Sequence, residues 1–309
     1  MPSSHGKTSS QFVCYTPWGF AVSLTYGMSL VLNVLHLVVL LALPSLRKTS
    51  NRTVLVHITL SDIAIAVTRM VHFGCFPYFF HLFNKSTLVG HVIGHSILES
   101  TCLIVYFVFF FGSVEKFYAF CRPLMYQSST VVGNLHVYLS LSWIFVLVVT
   151  VIAVYTGAIL MPSAFLNNMW KLGILIALPF IPAALSAAML VKVYREVNSM
   201  KVHDTGTAQS AQSKIAAKYF MVIFVLFVVV WIVKIIFVSA RLLTANPAYM
   251  KIFHLIKSAY TAGNTILYGW ISKPYWQYIR EKLRSCEREK RSDGNQPIAL
   301  QANTTEARL

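Results

Sequence analysis

Charged residues are scarce in this sequence, and acidic ones are the scarcest. They make up 12% of the 309 residues, whereas a soluble domain carries about 25%. Five cysteines are too few for a disulfide scaffold of this length, and 14% aromatic residues exclude a disordered chain. Yet 26 Lys and Arg against 10 Asp and Glu give a net charge of +16. With a mean hydropathy of +0.63, the chain is too apolar for a nucleic-acid-binding protein and fits a membrane protein with its basic residues on one side.

Seven stretches of the chain approach the roughly 20 apolar residues that a helix needs to cross a bilayer. They are too long and too uniformly apolar for barrel strands, so the expected fold is an all-α bundle of seven transmembrane helices. No internal repeat is visible, which argues against a secondary transporter. The stretches are 18–43, 54–76, 92–114, 135–160, 172–193, 215–238 and 249–271.

The distribution of Lys and Arg predicts the orientation. With the N-terminus outside, 18 of these residues fall on the inner side and five on the outer side. We therefore expect a multi-pass protein of the plasma membrane with a cytoplasmic C-terminus. The sequon at Asn84 then lies in an outer loop as a candidate glycosylation site, with an unmodified Asn84 as the alternative. The sequons at Asn51 and Asn303 fall inside.

The segment after the seventh stretch has a one-sided apolar pattern. Trp276, Ile279, Leu283 and Cys286 recur at helical spacing, which predicts a short amphipathic helix on the inner membrane surface. Cys286 is a candidate for palmitoylation; a free thiol is the alternative. The expected division is an extracellular N-terminus (1–17), a seven-helix domain (18–271), a juxtamembrane helix (272–286) and a disordered cytoplasmic tail (287–309).

Ionisable side chains at membrane depth are costly and mark functional candidates. Asp62 is expected at a depth similar to Asn33 and Asn264, so these three can hydrate one another and form a candidate sodium site. Interhelical hydrogen bonds that serve packing alone are the alternative. Four more ionisable residues lie within the predicted helices: Arg69, Glu99, Lys234 and Lys257.

Several polar and aromatic residues occur in the order and helix positions of a known receptor family. They are Asn33, Leu60-Ser-Asp62, Glu115-Lys116-Phe117, Arg122-Pro-Leu-Met-Tyr126, Trp143, Pro179 or Pro182, Phe227-x-x-x-Trp231 and Asn264-x-x-x-Tyr268. Over about residues 18–286, the chain resembles a divergent member of the rhodopsin-like (class A) G-protein-coupled receptors. The resemblance implies that the protein transduces binding of an extracellular small ligand to a cytoplasmic heterotrimeric G protein. It also implies an activation switch formed by Asn33, Asp62, Glu115, Lys116, Phe227, Asn264 and Tyr268.

The departures from that family are specific. Lys116 stands where the family has Arg, and a point charge does not reproduce a bidentate guanidinium. Thr265 replaces the helix-seven Pro. The family's cysteine at the outer end of helix three is missing, because His91 is there. Cys14 and Cys75 are the only outer-side cysteines and form a candidate disulfide, with two free thiols as the alternative.

Helical spacing predicts a ligand pocket. Arg69 lies seven residues outward from Asp62, and Lys257 seven residues outward from Asn264, which is two turns in each case. If Glu99 and Lys234 also face inward, three cations surround one carboxylate beside Trp231. This arrangement favours a small anionic ligand; internal ion pairing with one Lys reaching outward is the alternative.

The inner ends of helices five and six predict the G-protein contact, and they carry Lys192, Arg195, Lys214 and Lys218. No metal-ligand cluster, nucleophile motif or phosphate loop is visible, so neither an enzyme nor a cofactor is expected. The short N-terminus favours an orphan or chemosensory, odorant-like role. The alternatives are a membrane transporter or channel, and a non-signalling receptor relative suggested by Lys116.

Overall fold

The computed structural model describes most of the chain and is helical almost throughout the described part, which contains no strand. We label its seven long helices α1 (Pro17–Ala42), α2 (Ser50–Met70), α3 (Thr87–Cys121), α4 (Leu135–Tyr155), α5 (Ala164–Ser199), α6 (Ala208–Thr244) and α7 (Ala248–Ile271). Two one-turn helices, Pro123–Tyr126 and Thr130–Gly133, connect α3 to α4. The described residues are 17–42, 50–72, 87–126, 128–155, 164–199, 208–244, 248–271, 275, 277–282 and 284–285.

Six of these helices, α1 to α6, are long and apolar enough to cross a membrane. This confirms the prediction of a helical, membrane-embedded protein. The helix α7 has sufficient length but is not among the six. It carries Lys251, His254, Lys257 and Asn264, and these polar side chains lower its mean hydropathy.

Three helices extend beyond the apolar stretches that predicted them. The helices α5 and α6 continue into polar sequence at both ends, and α3 does so at its C-terminal end. Hydropathy marks only the part of a helix that lies in hydrocarbon, and a helix that packs on its neighbours can continue into water. The ends of α5 and α6 thereby carry basic side chains beyond the apolar part of each helix.

The central helix of the bundle is α3, which packs against α2, α4 and α5. In its apolar window 61% of the residues are buried, more than in any of the other five. The helix α7 packs between α1 and α6, and α6 also contacts α5. Large apolar side chains stay exposed along the outer faces of α1, α4, α5 and α6, as expected for surfaces that face lipid.

Residues 275, 277–282 and 284–285 are helical in the segment predicted to be amphipathic. Tyr278 and Ile279 pack against the core, whereas Arg280, Lys282 and Arg284 are exposed. Asn84, Cys14, Cys75 and Cys286 lie outside the described residues, so glycosylation, the disulfide and palmitoylation stay predictions. Cys102 and Cys121 are free thiols.

Candidate functional site between α2, α3, α6 and α7

Four ionisable side chains from four helices meet in the half of the bundle that contains the C-terminal end of α2. Glu99 of α3 accepts a hydrogen bond from Lys234 Nζ of α6, and its other carboxylate oxygen lies 3.8 Å from Arg69 Nη2 of α2. Lys257 of α7 is buried nearby. The bundle thus brings together the residues that helical spacing selected, and all of them lie inside the protein.

Arg69 is the largest fully buried side chain in the described residues. Its Nη1 donates to Nδ1 of His254 over 2.9 Å, so this ring nitrogen is unprotonated. Tyr26 of α1 supports that position by donating to the backbone oxygen of His254 over 3.1 Å. The Nε of Arg69 is buried without a partner in the described part of the chain.

Lys257 contacts a thiol where a carboxylate would be expected. Its Nζ lies 2.8 Å from Cys102 Sγ, and no carboxylate among the described residues lies within 4.0 Å of it. Lys257 is 9% exposed, so it does not reach outward to water. Glu99 is therefore shared by two cations while Lys257 relies on sulfur, and the cluster has an excess of positive charge.

Sequence reasoning missed His254, Cys102 and Tyr26. A helical signal was nevertheless present for two of them. His254 precedes Lys257 by one turn, and Cys102 follows Glu99 by one turn, so each shares a face with a charged residue that was selected. Cysteine and histidine are frequent in cores, and without a partner in view neither type attracts attention.

A cavity of about 30 Å³ lies beside the cluster, lined by Cys102, Trp231, Lys234 and Lys257 together with apolar side chains. This volume holds about one water molecule. A ligand of several atoms therefore requires a movement of side chains. Trp231 Nε1 is buried without a partner in the described residues, which leaves a donor beside the cavity.

Aromatic contacts lead from this cavity toward the end of the bundle where α3 ends and α6 begins. Tyr106 packs edge-on against Trp231 at 6.3 Å and against Phe227 at 4.8 Å between ring centroids. Phe227 continues to Phe109 at 4.9 Å, and Phe109 contacts Phe220 at 5.5 Å. The aromatic faces of α3 and α6 are thus in continuous contact below the cluster.

The predicted group of Asn33, Asp62 and Asn264 forms two linked hydrogen-bond systems. Asn264 Nδ2 donates to Asp62 Oδ2 over 2.8 Å. Asn33 instead bonds the helix α7 through the backbone oxygen of Thr261 at 3.1 Å and the hydroxyl of Thr265 at 3.1 Å. Asp62 therefore bonds Asn264 directly, whereas Asn33 is connected to these two residues through neighbouring residues of α7.

The oxygen atoms at Asp62 suit a hard cation in type. Asn264 Oδ1 is buried without a partner in the described residues and belongs to the amide that bonds the Asp62 carboxylate. Carboxylate and amide oxygens are ligands of hard cations. Within the described part of the chain, no group of three or more His, Cys, Asp and Glu residues could hold a metal ion. The sodium site stays a prediction.

Near the C-terminal end of α3, Lys116 forms an ion pair with the preceding residue, Glu115. Its Nζ lies 2.6 Å from Glu115 Oε2, and Tyr126 donates to Glu115 Oε1 over 3.0 Å. Both members of the pair are buried. Lys192 of α5 lies over the ring of Phe117 at 5.9 Å. Lys192, Arg195 and Lys218 are exposed and Lys214 is half-buried, so the surface at this end of the bundle is basic.

Tyr268 lies at a junction of α1, α6 and α7. Its ring contacts His36 at 5.1 Å, Tyr219 at 4.8 Å and Tyr275 at 5.4 Å. Tyr219 also donates to the backbone oxygen of Asn264 over 3.0 Å. This hydrogen bond connects the rings around Tyr268 to Asn264, the residue that bonds Asp62.

In comparisons with known proteins, no family model and no curated protein matches this chain. Its function must therefore be argued from the geometry of the site.

Proposed function

We propose that the protein is a seven-helix receptor that couples binding of a small anionic ligand, on the outer side of the membrane, to a cytoplasmic G protein. The observation that carries the proposal is the buried cluster of Arg69, Glu99, Lys234 and Lys257 from four helices. Buried charges are expensive within a membrane and persist where they have a function. Three cations around one carboxylate provide a binding site for an anion.

The exposed face of α7 supports a seventh membrane span. Ile252, Ala259 and Ile266 are its exposed positions between Lys251 and the last described side chain, Tyr268. They are seven residues apart and all apolar, so they form one stripe along the helix. Lys257 and Asn264 lie on buried faces. A helix with low mean hydropathy can cross a membrane when its polar groups face the bundle interior.

The contacts between the cluster and the inner surface support a signalling role. Trp231 and Lys234 lie on α6 beside the cavity, and Phe227 and Phe220 continue the same helix inward against α3. A ligand that takes Lys234 or Trp231 away from its resting contacts changes how α6 packs on α3. Lys214 and Lys218 lie near the N-terminal end of the same helix, so a shift of α6 also moves the basic surface at that end of the bundle. Ligand binding then acts as a population shift between two packings.

The cluster also supports a small, acidic ligand over a large or cationic one. The cavity of about 30 Å³ is far below the several hundred Å³ of most ligand sites, so the described state is closed. Glu99 is already bound to two cations, which disfavours an amine. A carboxylate can replace Cys102 as the partner of Lys257 and can also accept from Arg69 Nε.

The proposal is tested with Lys257→Met and Arg69→Gln in a cell reporter assay that screens small carboxylates and matched uncharged analogues. Removing the positive charge that pairs with a carboxylate ligand in a buried site is expected to weaken the binding of that ligand by about tenfold or more, which corresponds to roughly 1.4 kcal/mol or more. Lys251→Met is the matched control, because Lys251 is an exposed lysine on the same helix. Unchanged responses to every active ligand in both pocket variants, at normal surface expression, would overturn the proposal.

A further inference from the structure

Cys102 lies among cations, which is unusual for a buried cysteine. Its Sγ is 2.8 Å from Lys257 Nζ and 3.9 Å from Arg69 Nη2. The residue is 8% exposed and is not in a disulfide. Structural cysteines lie in apolar surroundings and are inert, whereas a thiol next to Lys or Arg is favoured as the nucleophilic thiolate. The surroundings of Cys102 are of the second kind.

Two further observations at the same place indicate a ligand. Cys102 lines the cavity together with Trp231, Lys234 and Lys257, so this residue borders a space. Two buried donors close by have no partner among the described residues: Trp231 Nε1, which lines the same cavity, and Nε of Arg69, a side chain that is 1% exposed and whose Nη2 lies 3.9 Å from the sulfur. A buried donor of this kind costs free energy unless an acceptor satisfies it. The site therefore combines a nucleophile with a spare donor for an oxygen atom.

We propose that Cys102 is a covalent attachment site for a small α,β-unsaturated carbonyl compound, with Lys257 as its proton partner. Before the reaction, the proton of the Cys102 thiol is on Lys257, so Cys102 is a thiolate and Lys257 is an ammonium group. The thiolate attacks the β-carbon, an S–C bond forms, and the π electrons of the C=C bond move onto the carbonyl as an enolate. The α-carbon then takes a proton from Lys257. The net change is addition of S–H across C=C, without a leaving group, oxidant or reductant.

The same cations explain the choice of electrophile. Negative charge develops on the carbonyl oxygen during the addition, and donors already in position stabilise such charge best. Lys234 and Trp231 Nε1, which line the cavity, supply these donors, and the Arg69 guanidinium adds a further positive charge beside the sulfur. With an alkylating agent that has no carbonyl, no negative charge develops on such an oxygen atom, so these donors do not increase the reaction rate. The inference rests on the ligand pocket of the proposed function but does not depend on signalling.

The test compares two thiols of one helix within the same molecule. The purified full-length protein in nanodiscs is treated with limiting methyl vinyl ketone, digested, and analysed by mass spectrometry for adducts at Cys102 and Cys121. Cys121 is the matched thiol, because it lies on α3 and is less buried. We expect Cys102 to react about tenfold faster than Cys121 in the folded protein, and at a similar rate after denaturation in detergent. This comparison requires no substitution and so does not depend on the folding of a variant.

Substitutions at Lys257 then test whether this residue causes the faster reaction at Cys102. Lys257→Met is expected to lower the rate at Cys102 to that at Cys121 or below, whereas Lys257→Arg and the control Lys251→Met retain most of it. Slower reaction at Cys102 than at Cys121 in the folded wild type overturns the inference, as does an unchanged ratio in Lys257→Met. Because the adduct is read by mass, a failed adduct beside normal ligand signalling contradicts this inference alone, and an adduct without any signalling contradicts the proposed function alone.

Discussion

Gly112 is a point of close contact between α3 and side chains of α6 and α2. A Cβ at this position would lie 2.6 Å and 2.8 Å from ring atoms of Phe220, and 2.9 Å from Val54 Cγ1. Phe220 is 2% exposed and Val54 is 1% exposed, so neither side chain has free space to enter. The absence of a side chain at residue 112 therefore sets the distance between helices in the middle of the aromatic contacts.

Gly112→Ala is expected to destabilise the protein by about 1–3 kcal/mol, because overpacking of a buried contact forces neighbours from their rotamers. The measurement is the thermal melting temperature in detergent. Gly263→Ala is the matched control: a Cβ there meets nothing within 4 Å, and replacing a helix-interior Gly by Ala gains about 0.5–1 kcal/mol. Equal shifts in both variants would show that Gly112 does not set the spacing of the helices.

At the level of single residues, the sequence predicted which charged side chains lie inside. The cost of a charge at membrane depth applies to Arg69, Glu99, Lys234 and Lys257 whatever their partners are. The partners were not predictable in the same way. Which cations share Glu99, and that Lys257 contacts Cys102, depends on rotations of four helices that no spacing within one helix determines.

At the level of elements, apolar runs located the helices but not their ends. The C-terminal end of α5 and the N-terminal end of α6 continue as helix beyond the apolar runs, because Val193, Val197 and Ala217 pack with Phe120 of α3. The amphipathic segment after α7 was predicted from spacing alone. Of the predicted apolar stripe, Ile279 is the member with a described side chain, and it packs against the core together with Tyr275 and Tyr278. This part of the segment therefore contacts protein.

Tyr275 attaches that segment to α1, and its contact should depend on pH. The Tyr275 hydroxyl and His36 Nδ1 are hydrogen-bonded at 3.0 Å. Burial, with a smaller contribution from Tyr268, raises the pKa of Tyr275 from 10.0 to about 12. The unfolded phenol therefore ionises at lower pH than the folded one, so this contribution to stability is present below pH 10 and is lost as the pH rises toward about 12.

Tyr275→Phe is expected to lower stability near neutral pH by about 1 kcal/mol, the value of one hydrogen bond. The difference in melting temperature between wild type and variant should be constant up to about pH 10 and should shrink as the pH rises from there toward about 12, since only the wild type loses this contribution. Tyr278→Phe, on the same segment, controls for general alkaline effects. A difference that stays constant with pH would contradict the assignment of the titrating group to Tyr275.

The ion pair between Glu115 and Lys116 can be tested for a role in keeping the proposed receptor inactive in the absence of ligand. In Glu115→Gln, Lys116 loses the carboxylate at 2.6 Å while remaining 3% exposed in the described packing. A buried positive charge that has lost a neighbouring carboxylate is less well compensated, so a packing that exposes Lys116 to solvent gains population. We expect agonist-free G-protein activation to rise by about threefold or more. Tyr126→Phe keeps the carboxylate and should change activation little.

Silence of the wild type, of Glu115→Gln and of Lys116→Arg, each at normal surface expression, would contradict a signalling role. It would favour a receptor relative that does not couple. The Lys116→Arg variant is included because it restores the guanidinium of the family that the sequence resembles.

At the level of the whole molecule, low overall charge and high net charge have one explanation. The 18 basic residues assigned to the inner side face the cytoplasm if the N-terminus is outside and the number of spans is odd. Six helices qualify by hydropathy alone, and an even number would put both termini on one side. The position of the C-terminus therefore decides whether α7 crosses the membrane.

Epitope tags at the two termini measure this directly. We expect antibody to bind the N-terminal tag on intact cells and the C-terminal tag only after permeabilisation, because the buried faces of α7 hold its polar groups and its exposed stripe is apolar. Glycosidase treatment should shift the wild type on a gel, and Asn84→Gln should abolish that shift. Asn51→Gln and Asn303→Gln, at sequons expected inside, are the controls and should retain it. A C-terminal tag accessible on intact cells would mean that α7 does not span, and the receptor proposal would fail with it, since Lys257 could not then complete a pocket inside a seven-helix bundle.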